Sequence, residues 1–283
     1  MYQHPLINVI TKSGQQLQAF ENDSITKEIQ AKGEYDGNTL NSIREVLTCI
    51  TPTTSLDIGA NIGNHAIVIA QYTKQLIAFE PVKFIFDALK QNLTLNKLHN
   101  AIAVNLALSD EALKRDILIP THGNLGCSSL DASFEDAETQ EIELVVGDDY
   151  LNQTFPKDKI DFIKMDVEGH EASALRGLEK ILKQDQPLLL IEYKSATTIA
   201  SFQQMHLFDE LFKGYQFFSL SYTYNKKVHQ RNLIGFLKRI YYRVFDRRWC
   251  LSDFYQTKPY ANVYLVPPRY QKAFSTFAYL SAE

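Results

Sequence analysis

Residues 55–65 read S-L-D-I-G-A-N-I-G-N-H, and this stretch decides the fold class. Ser55 to Ala60 is a short apolar run that stops at Gly59, as a buried strand does at its turn. Residues 61–74 then take helical spacing. A strand that turns at glycine into a helix opens a unit of alternating strands and helices, which folds as a parallel sheet covered by helices. The alternation continues downstream. Residues 75–81 form a second strand closed by Pro81. Residues 82–98 form a helix with Leu89 and Leu93 on one face, and residues 101–110 a third strand. Residues 121–133 and 140–151 read as shorter antiparallel strands at the edge. Residues 159–169 are a fourth core strand followed by one helix over 170–185. Residues 187–193 are the fifth. A helix around Phe202 to Phe212 and strands near 215–222 and 262–267 complete a sheet of seven strands.

The flanks differ from this core. Residues 1–50 suggest a hairpin and a helix over 37–50, residues 51–225 the core, 226–260 a basic insertion, and 261–283 the last core strand and a tail. With 283 residues, 45% of them hydrophobic, the chain can bury a large core. A formal net charge of -4 gives no global basicity and argues against nucleic acid as partner. Cys49, Cys127 and Cys250 form no CxxC pair or zinc spacing, and an odd count suits a reducing compartment. The start lacks a basic stretch followed by an apolar one, and no apolar run is long enough to span a bilayer. A cytoplasmic location is the expectation by elimination.

In an open α/β sheet the ligand lies beyond the carboxyl ends of the strands, near the point where strand order reverses. There Gly59 and Gly63 permit close backbone approach, and Asn61 tolerates a left-handed conformation. Glu80 ends the second strand, where a carboxylate accepts both hydroxyls of a ribose. A dinucleotide site would need glycine at positions occupied here by Asn61 and Asn64. It would also place a pyrophosphate against Asp57, whereas a carboxylate there suits a sulfonium and an ammonium. The sign of the charge therefore favours S-adenosylmethionine.

The fourth strand ends I-K-M-D-V-E-G-H-E, residues 163–171. Alternation puts Lys164 and Asp166 on one face and Met165 and Val167 on the other. Burying a lysine and an aspartate is costly unless they pair or reach a site. Glu168 and Glu171 complement the start of the following helix, and Gly169 makes the turn.

Taken in order, LDIGANIGNH, IAFEP, NLALSD, NLGCSSL, IDFIKMDVEGHE and LLLIEY resemble the FkbM family of methyltransferases, over roughly Ser55 to Tyr193, with a weaker echo in KGEYDG before it. The resemblance implies a class I methyltransferase fold, Rossmann-like, with S-adenosylmethionine as cofactor and transfer to an oxygen, often of a sugar or a natural product. It implies Asp57, Gly59, Asn61 and Glu80 as cofactor contacts and Ser109 and Asp110 on the adenine side.

A hydroxyl must lose its proton as it attacks a methyl group, so a base should lie within hydrogen-bond reach. Asp166, His170 and Glu192 are the candidates, with Asp166 or His170 favoured and Glu192 shaping the acceptor pocket. Lys164 joins them at the strand end. Asp166, Glu168 and His170 suggest an oxygen/nitrogen metal site, but nothing else completes one at recognisable spacing, so no metal is expected. In the basic insertion, Leu233, Leu237, Ile240 and Val244 fall at helical spacing beside Arg239, Arg243 and Arg247. Such a helix can lie on an anionic membrane, grip a phosphorylated acceptor, or simply pack on the domain with a solvated charged face. Its aromatic neighbours suit a core, a sugar-stacking wall or a dimer contact, so a homo-oligomer stays open. The leading function is methyl transfer to the hydroxyl of a glycan or small metabolite. A nicotinamide oxidoreductase and a non-catalytic binding protein on the same fold are the alternatives.

Overall fold

The computed structural model describes residues 4–121, 123, 125–130, 136–156, 158–224 and 247–280. The N-terminal extension holds the hairpin β1 (Leu6–Ile10) and β2 (Gln16–Phe20), then helices α1 (Ser24–Lys32) and α2 (Gly37–Ile50). The hairpin and α2 match the sequence reading; α1 is an addition, started by Asp23, whose side chain accepts from the Ile25 N–H at 2.8 Å. The core continues with β3 (Thr54–Ile58), α3 (Asn64–Ala70), β4 (Gln75–Phe79), α4 (Lys83–Leu95) and β5 (Ala101–Val104). Three strands, β6 (Ala107–Ser109), β7 (Leu113–Pro120) and β8 (Ala137–Val146), form a separate sheet. Next come α5 (Gly147–Thr154), β9 (Ile160–Met165), α6 (Glu171–Arg176), α7 (Glu179–Asp185) and β10 (Leu188–Tyr193). The chain ends with α8 (Ala196–Gln204), α9 (Leu207–Leu211) and the strands β11 (Gln216–Tyr224), β12 (Arg247–Asp253), β13 (Tyr260–Val266) and β14 (Tyr279–Leu280).

The main sheet runs β14-β12-β11-β13-β10-β9-β3-β4-β5. From β10 to β5 every pairing is parallel, and β13, β11 and β12 add antiparallel neighbours. This is the expected mostly parallel α/β sheet, with nine strands in place of seven. Arg247–Asp253 accounts for one extra strand: the sequence assigns it to the basic insertion, but β12 pairs with β11 along its whole length. The rest of the basic stretch, residues 226–246 with Arg239 and Arg243, lies outside the described residues. Residues 101–110 divide between two sheets. Residues 121–133 give a 3-10 turn at Leu125–Cys127 and a bridge at Ser129, and their expected strand is instead β7. The helix expected over 170–185 breaks at Gly177, where a Cβ would lie 1.9 Å from the Ser109 carbonyl oxygen.

Side-chain alternation builds one core on each face of the sheet. Leu76 and Ala78 of β4 join α2, α3 and α4 on one face; Ile77 and Phe79 join α6 to α9 on the other. The hairpin is fastened to the first face by two asparagines four residues apart, Asn92 of α4 and Asn96 at its C-terminal cap. The Asn92 side-chain amide donates to the Gln18 carbonyl at 3.0 Å and accepts from its N–H at 2.7 Å. The Asn96 amide treats Gln16 in the same way, at 2.7 and 3.1 Å. Two side chains thus imitate a neighbouring strand. Asn92, fully buried, also donates to the Ile62 carbonyl at 2.8 Å, which ties the hairpin to the glycine loop. Asn92→Ala should strand these partners and lower the unfolding free energy by about 1–3 kcal/mol, as read by urea denaturation. An unchanged midpoint would show the hairpin to be held by other contacts.

Candidate functional site

Strand order reverses between β3 and β9: the chain moves from β3 to β4 and β5 on one side, and from β9 to β10 on the other. At this switch point an open α/β sheet leaves a crevice, because the connections diverge. A cavity of about 1000 Å³, counted to its open mouth, lies there.

The glycine loop forms its floor. Gly59 has φ +78°, and a Cβ on it would lie 1.9 Å from the Asp166 carbonyl oxygen, so no other residue fits without moving backbone. Asn61 is left-handed at φ 51°, as its residue type allows, and its Oδ1 accepts from the Ile62 N–H at 2.6 Å. Gly63, also left-handed, leads into α3 and packs against Leu89 rather than lining the cavity.

Glu80 follows the end of β4 and lines the cavity. Its Oε2 accepts from the Asn61 N–H at 2.9 Å and its Oε1 from the Val82 N–H at 3.0 Å, so the carboxylate spans the glycine loop and the entry to α4. Burial pushes its pKa up to about 7 against the pull of those two N–H groups. Each oxygen keeps a further lone pair for a hydroxyl.

Asp57 and Lys164 face each other in register on β3 and β9. Asp57, expected as a cofactor contact, is fully buried, does not line the cavity, and stands beside Lys164. The Lys164 Nζ lies 3.5 Å from Asp57 and 3.6 Å from Asp166, and donates to the Gly59 carbonyl at 3.3 Å. Burial opposes the lysine's charge, but Asp57 and then Asp166 outweigh it and hold its pKa above the ordinary lysine value. Burial pushes Asp57 up, with Lys164 and His65 pulling it back. Asp166 lines the cavity and is partly exposed to it. The result is two carboxylates about one ammonium, leaving a net negative charge at the strand ends.

The turn after β9 is unusual in its backbone, with Glu168 at φ 50° and Gly169 at φ 106°. Glu171, fully buried, holds it: Oε1 accepts from the N–H groups of Val167 and Gly169, both at 3.2 Å, and Oε2 accepts from the Thr198 hydroxyl at 3.0 Å. His170 lines the cavity, but its Nε2 lies 3.1 Å from the Ser109 hydroxyl, on the β6 side. Ser109 is buried, donates to Asp110 at 3.1 Å, and neither residue lines the cavity. The lining there comes from the preceding residues, Leu106 to Leu108, with Ile117 of β7 and Ile142 of β8, an apolar slot of the kind that takes a flat base.

Three carboxylates converge at the ends of β9 and β10: donor atoms of Asp166, Glu168 and Glu192 all lie within 4.8 Å of one another. His170, which the sequence groups with Asp166 and Glu168, is replaced in this cluster by Glu192. Lys194 stands over it, 2.9 Å from Glu192 and 3.9 Å from Glu168. Burial pushes Glu192 up to about 8, helped by the Asp166 charge and opposed by the bond to Lys194. Burial, then Asp166, also raises Glu168.

The N-terminal extension supplies residues that the motifs alone do not mark. Tyr35, from the turn before α2, and Ile25 of α1 line the cavity together with Asn64 and His65 at the start of α3. KGEYDG and GNH carry them in the sequence, but only folding brings them to the cavity that Asp166 lines. Among the described residues, no helix is long and apolar enough to cross a membrane.

A carboxylate at the end of β4, an apolar slot from Leu106 to Leu108 and further carboxylates at the end of β9 line one cavity, a set that fits an adenosyl group carrying a cation. Residues 57–217 match the family model described as the methyltransferase FkbM domain. Among curated proteins, the chain is 28% identical over 155 residues to a methyltransferase, sdnD, of Sordaria araneosa, covering 44% of this chain and 60% of that one. It is 30% identical over 141 residues to the hexuronic acid methyltransferase AglP of Haloferax volcanii, covering 45% of this chain and 50% of that one. The chain thus spans half to three-fifths of the length of these relatives. Among solved structures, an FkbM methyltransferase from Methylobacillus flagellatus aligns with a TM-score of 0.45 at 16% identity, over 76% of this chain and 44% of that one. An O-methyltransferase from Thermotoga maritima aligns with a TM-score of 0.45 at 12% identity, over 92% and 77%. The matched model covers more than half of the sequence: the chain belongs to the FkbM family of methyltransferases, and S-adenosylmethionine is the cofactor that membership implies.

Proposed function

We propose that this chain transfers a methyl group to a hydroxyl oxygen of a sugar or related small metabolite, with Asp166 as the proton acceptor. The observation that carries the reading is one cavity at the switch point with Glu80 at one side and Asp166 at the other. S-adenosylmethionine supplies the electrophilic methyl when bound. Glu80 holds the ribose hydroxyls, and Leu106 to Leu108 with Ile142 take the base. Asp166 accepts the proton of the attacking hydroxyl, with Lys164 fixing the carboxylate through its 3.6 Å contact. Glu192, held by Lys194 at 2.9 Å, shapes the pocket. His170, tied to Ser109, belongs to the cofactor side. The similarity to a hexuronic acid methyltransferase supports a sugar as acceptor class.

No divalent ion enters this reading: Lys164 stands against Asp166, and Lys194 against Glu168 and Glu192. Loss of activity with a chelator and its return with magnesium would overturn that part. A nicotinamide cofactor is disfavoured by Asn61 and Asn64 at two of the glycine positions its pyrophosphate needs. Calorimetry should therefore show S-adenosylhomocysteine binding and no NAD binding. Glu80→Ala should weaken the former by about 1.5–3 kcal/mol, the range for a hydrogen bond to a charged group. Unchanged affinity in Glu80→Ala, or tight NAD binding, contradicts the assignment.

A further inference from the structure

The cavity wall at the start of α3 carries polar atoms that the described residues leave without partners. Asn64 is buried and lines the cavity; its Nδ2 donates to the Tyr35 carbonyl at 3.2 Å, and its Oδ1 has no hydrogen-bond partner among the described residues. His65 also lines the cavity, and its buried Nε2 makes no hydrogen bond there either; the nearest carboxylate oxygen, of Asp36, is 3.5 Å away. Buried polar atoms in folded proteins are nearly always satisfied, so two orphans side by side on a cavity wall call for an occupant.

The arrangement is built at some cost. Asp36 precedes α2 in the capping position, where an aspartate normally accepts from the first turn, yet its side chain makes no such bond and its φ is 49°. The carboxylate is turned to His65 instead. The turn that carries it is fastened from two sides: Lys12 pairs with Glu34 and donates its N–H to the Gly33 carbonyl at 2.7 Å, and Asn64 holds Tyr35. Tyr35 stays a neutral phenol, since burial and then the charges of Asp166 and Asp36 keep its proton on.

We propose that Asn64 and the Asp36–His65 pair, with the ring of Tyr35, form the recognition wall for the acceptor and select a neutral sugar ring with free hydroxyls beside the one that is methylated. This rests on the oxygen-transfer reading above. Asn64 Oδ1 is left to accept, and the Asp36 carboxylate behind His65 adds negative charge, so the wall favours a ligand that donates and carries no anion. A carboxylate or phosphate in this cavity would meet Asp166 and Glu168 with like charge. The ribose and base have their own anchors at Glu80 and at Leu106 to Leu108.

The test uses the full chain saturated with S-adenosylhomocysteine and the methyl glycosides of glucose, galactose and mannose, followed by saturation-transfer NMR. At least one glycoside should bind the wild type. Its affinity should fall roughly tenfold or more in Asn64→Leu and in Asp36→Asn, as expected when a buried group loses its partner. Asn64→Asp, which retains an accepting oxygen, should recover part of the loss. Affinity for S-adenosylhomocysteine should stay within about threefold in all variants, which also reports that they fold. Equal glycoside binding in wild type and variants overturns the inference while leaving the oxygen-transfer reading in place. A parallel loss of S-adenosylhomocysteine affinity also overturns it, by showing that the wall holds the cofactor. A wild type that binds S-adenosylhomocysteine but none of the glycosides overturns the inference and the sugar acceptor together.

Discussion

Asp166→Asn should lower kcat by about 100- to 10,000-fold, the usual contribution of a positioned base, while the dissociation constant for S-adenosylhomocysteine changes little. The substitution keeps the size of the side chain, so the cavity survives. It removes the basic oxygen where Asp166 faces the cavity and the Lys164 contact weakens. Steady-state kinetics with a competent acceptor, paired with calorimetry, separates the two effects. His170→Ala should cost far less turnover, because that imidazole is bound to Ser109 on the β6 side. Full activity in Asp166→Asn, with a large loss in His170→Ala, would move the base to the histidine.

Lys164→Met should destabilise the protein by about 3–5 kcal/mol, the range for removing one partner of a buried ion pair. The Nζ sits between Asp57 and Asp166 and also donates to Gly59. Without it the fully buried Asp57 would carry a charge with no ammonium beside it. Adding Asp57→Asn to the same chain should recover part of the loss, because the neutral amide no longer needs a counter-charge. Urea denaturation measures both. A single variant as stable as wild type would mean that Asp57 is already neutral in the native state and that Lys164 serves only the cavity.

The parallel core was legible because its strands announce themselves by alternation and its turns by glycine. Gly59, Gly63 and Asn61 adopt the left-handed backbone their residue types suggest. Glu80 and Asp166 line the cavity as expected at strand ends. What failed was reading distance along the chain as distance in space. Asp57 belongs to the right motif, but it lies fully buried beside its register partner Lys164, and it is Lys164 that lines the cavity. Ser109 and Asp110 end the right segment, yet the cavity takes the residues just before them. β7 was hidden because its first residues, Lys114 to Asp116, are polar and exposed and break the apolar pattern. β12 was hidden by its basic start. Glu192 pairs with Lys194 and joins Asp166 only because β9 and β10 lie side by side, which no local spacing reveals.

The central claim is transfer of a methyl group to oxygen, and the product tests it most directly. The full chain, trideuteromethyl-labelled S-adenosylmethionine and a panel of neutral glycosides should yield S-adenosylhomocysteine and a glycoside carrying one labelled methyl group. Tandem mass spectrometry should place that group as an ether on a ring hydroxyl, and Asp166→Asn should make little of it. A label found on nitrogen, carbon or sulfur, or as a carboxylate ester, or a wild type that binds the cofactor and labels no hydroxyl acceptor, would contradict the account.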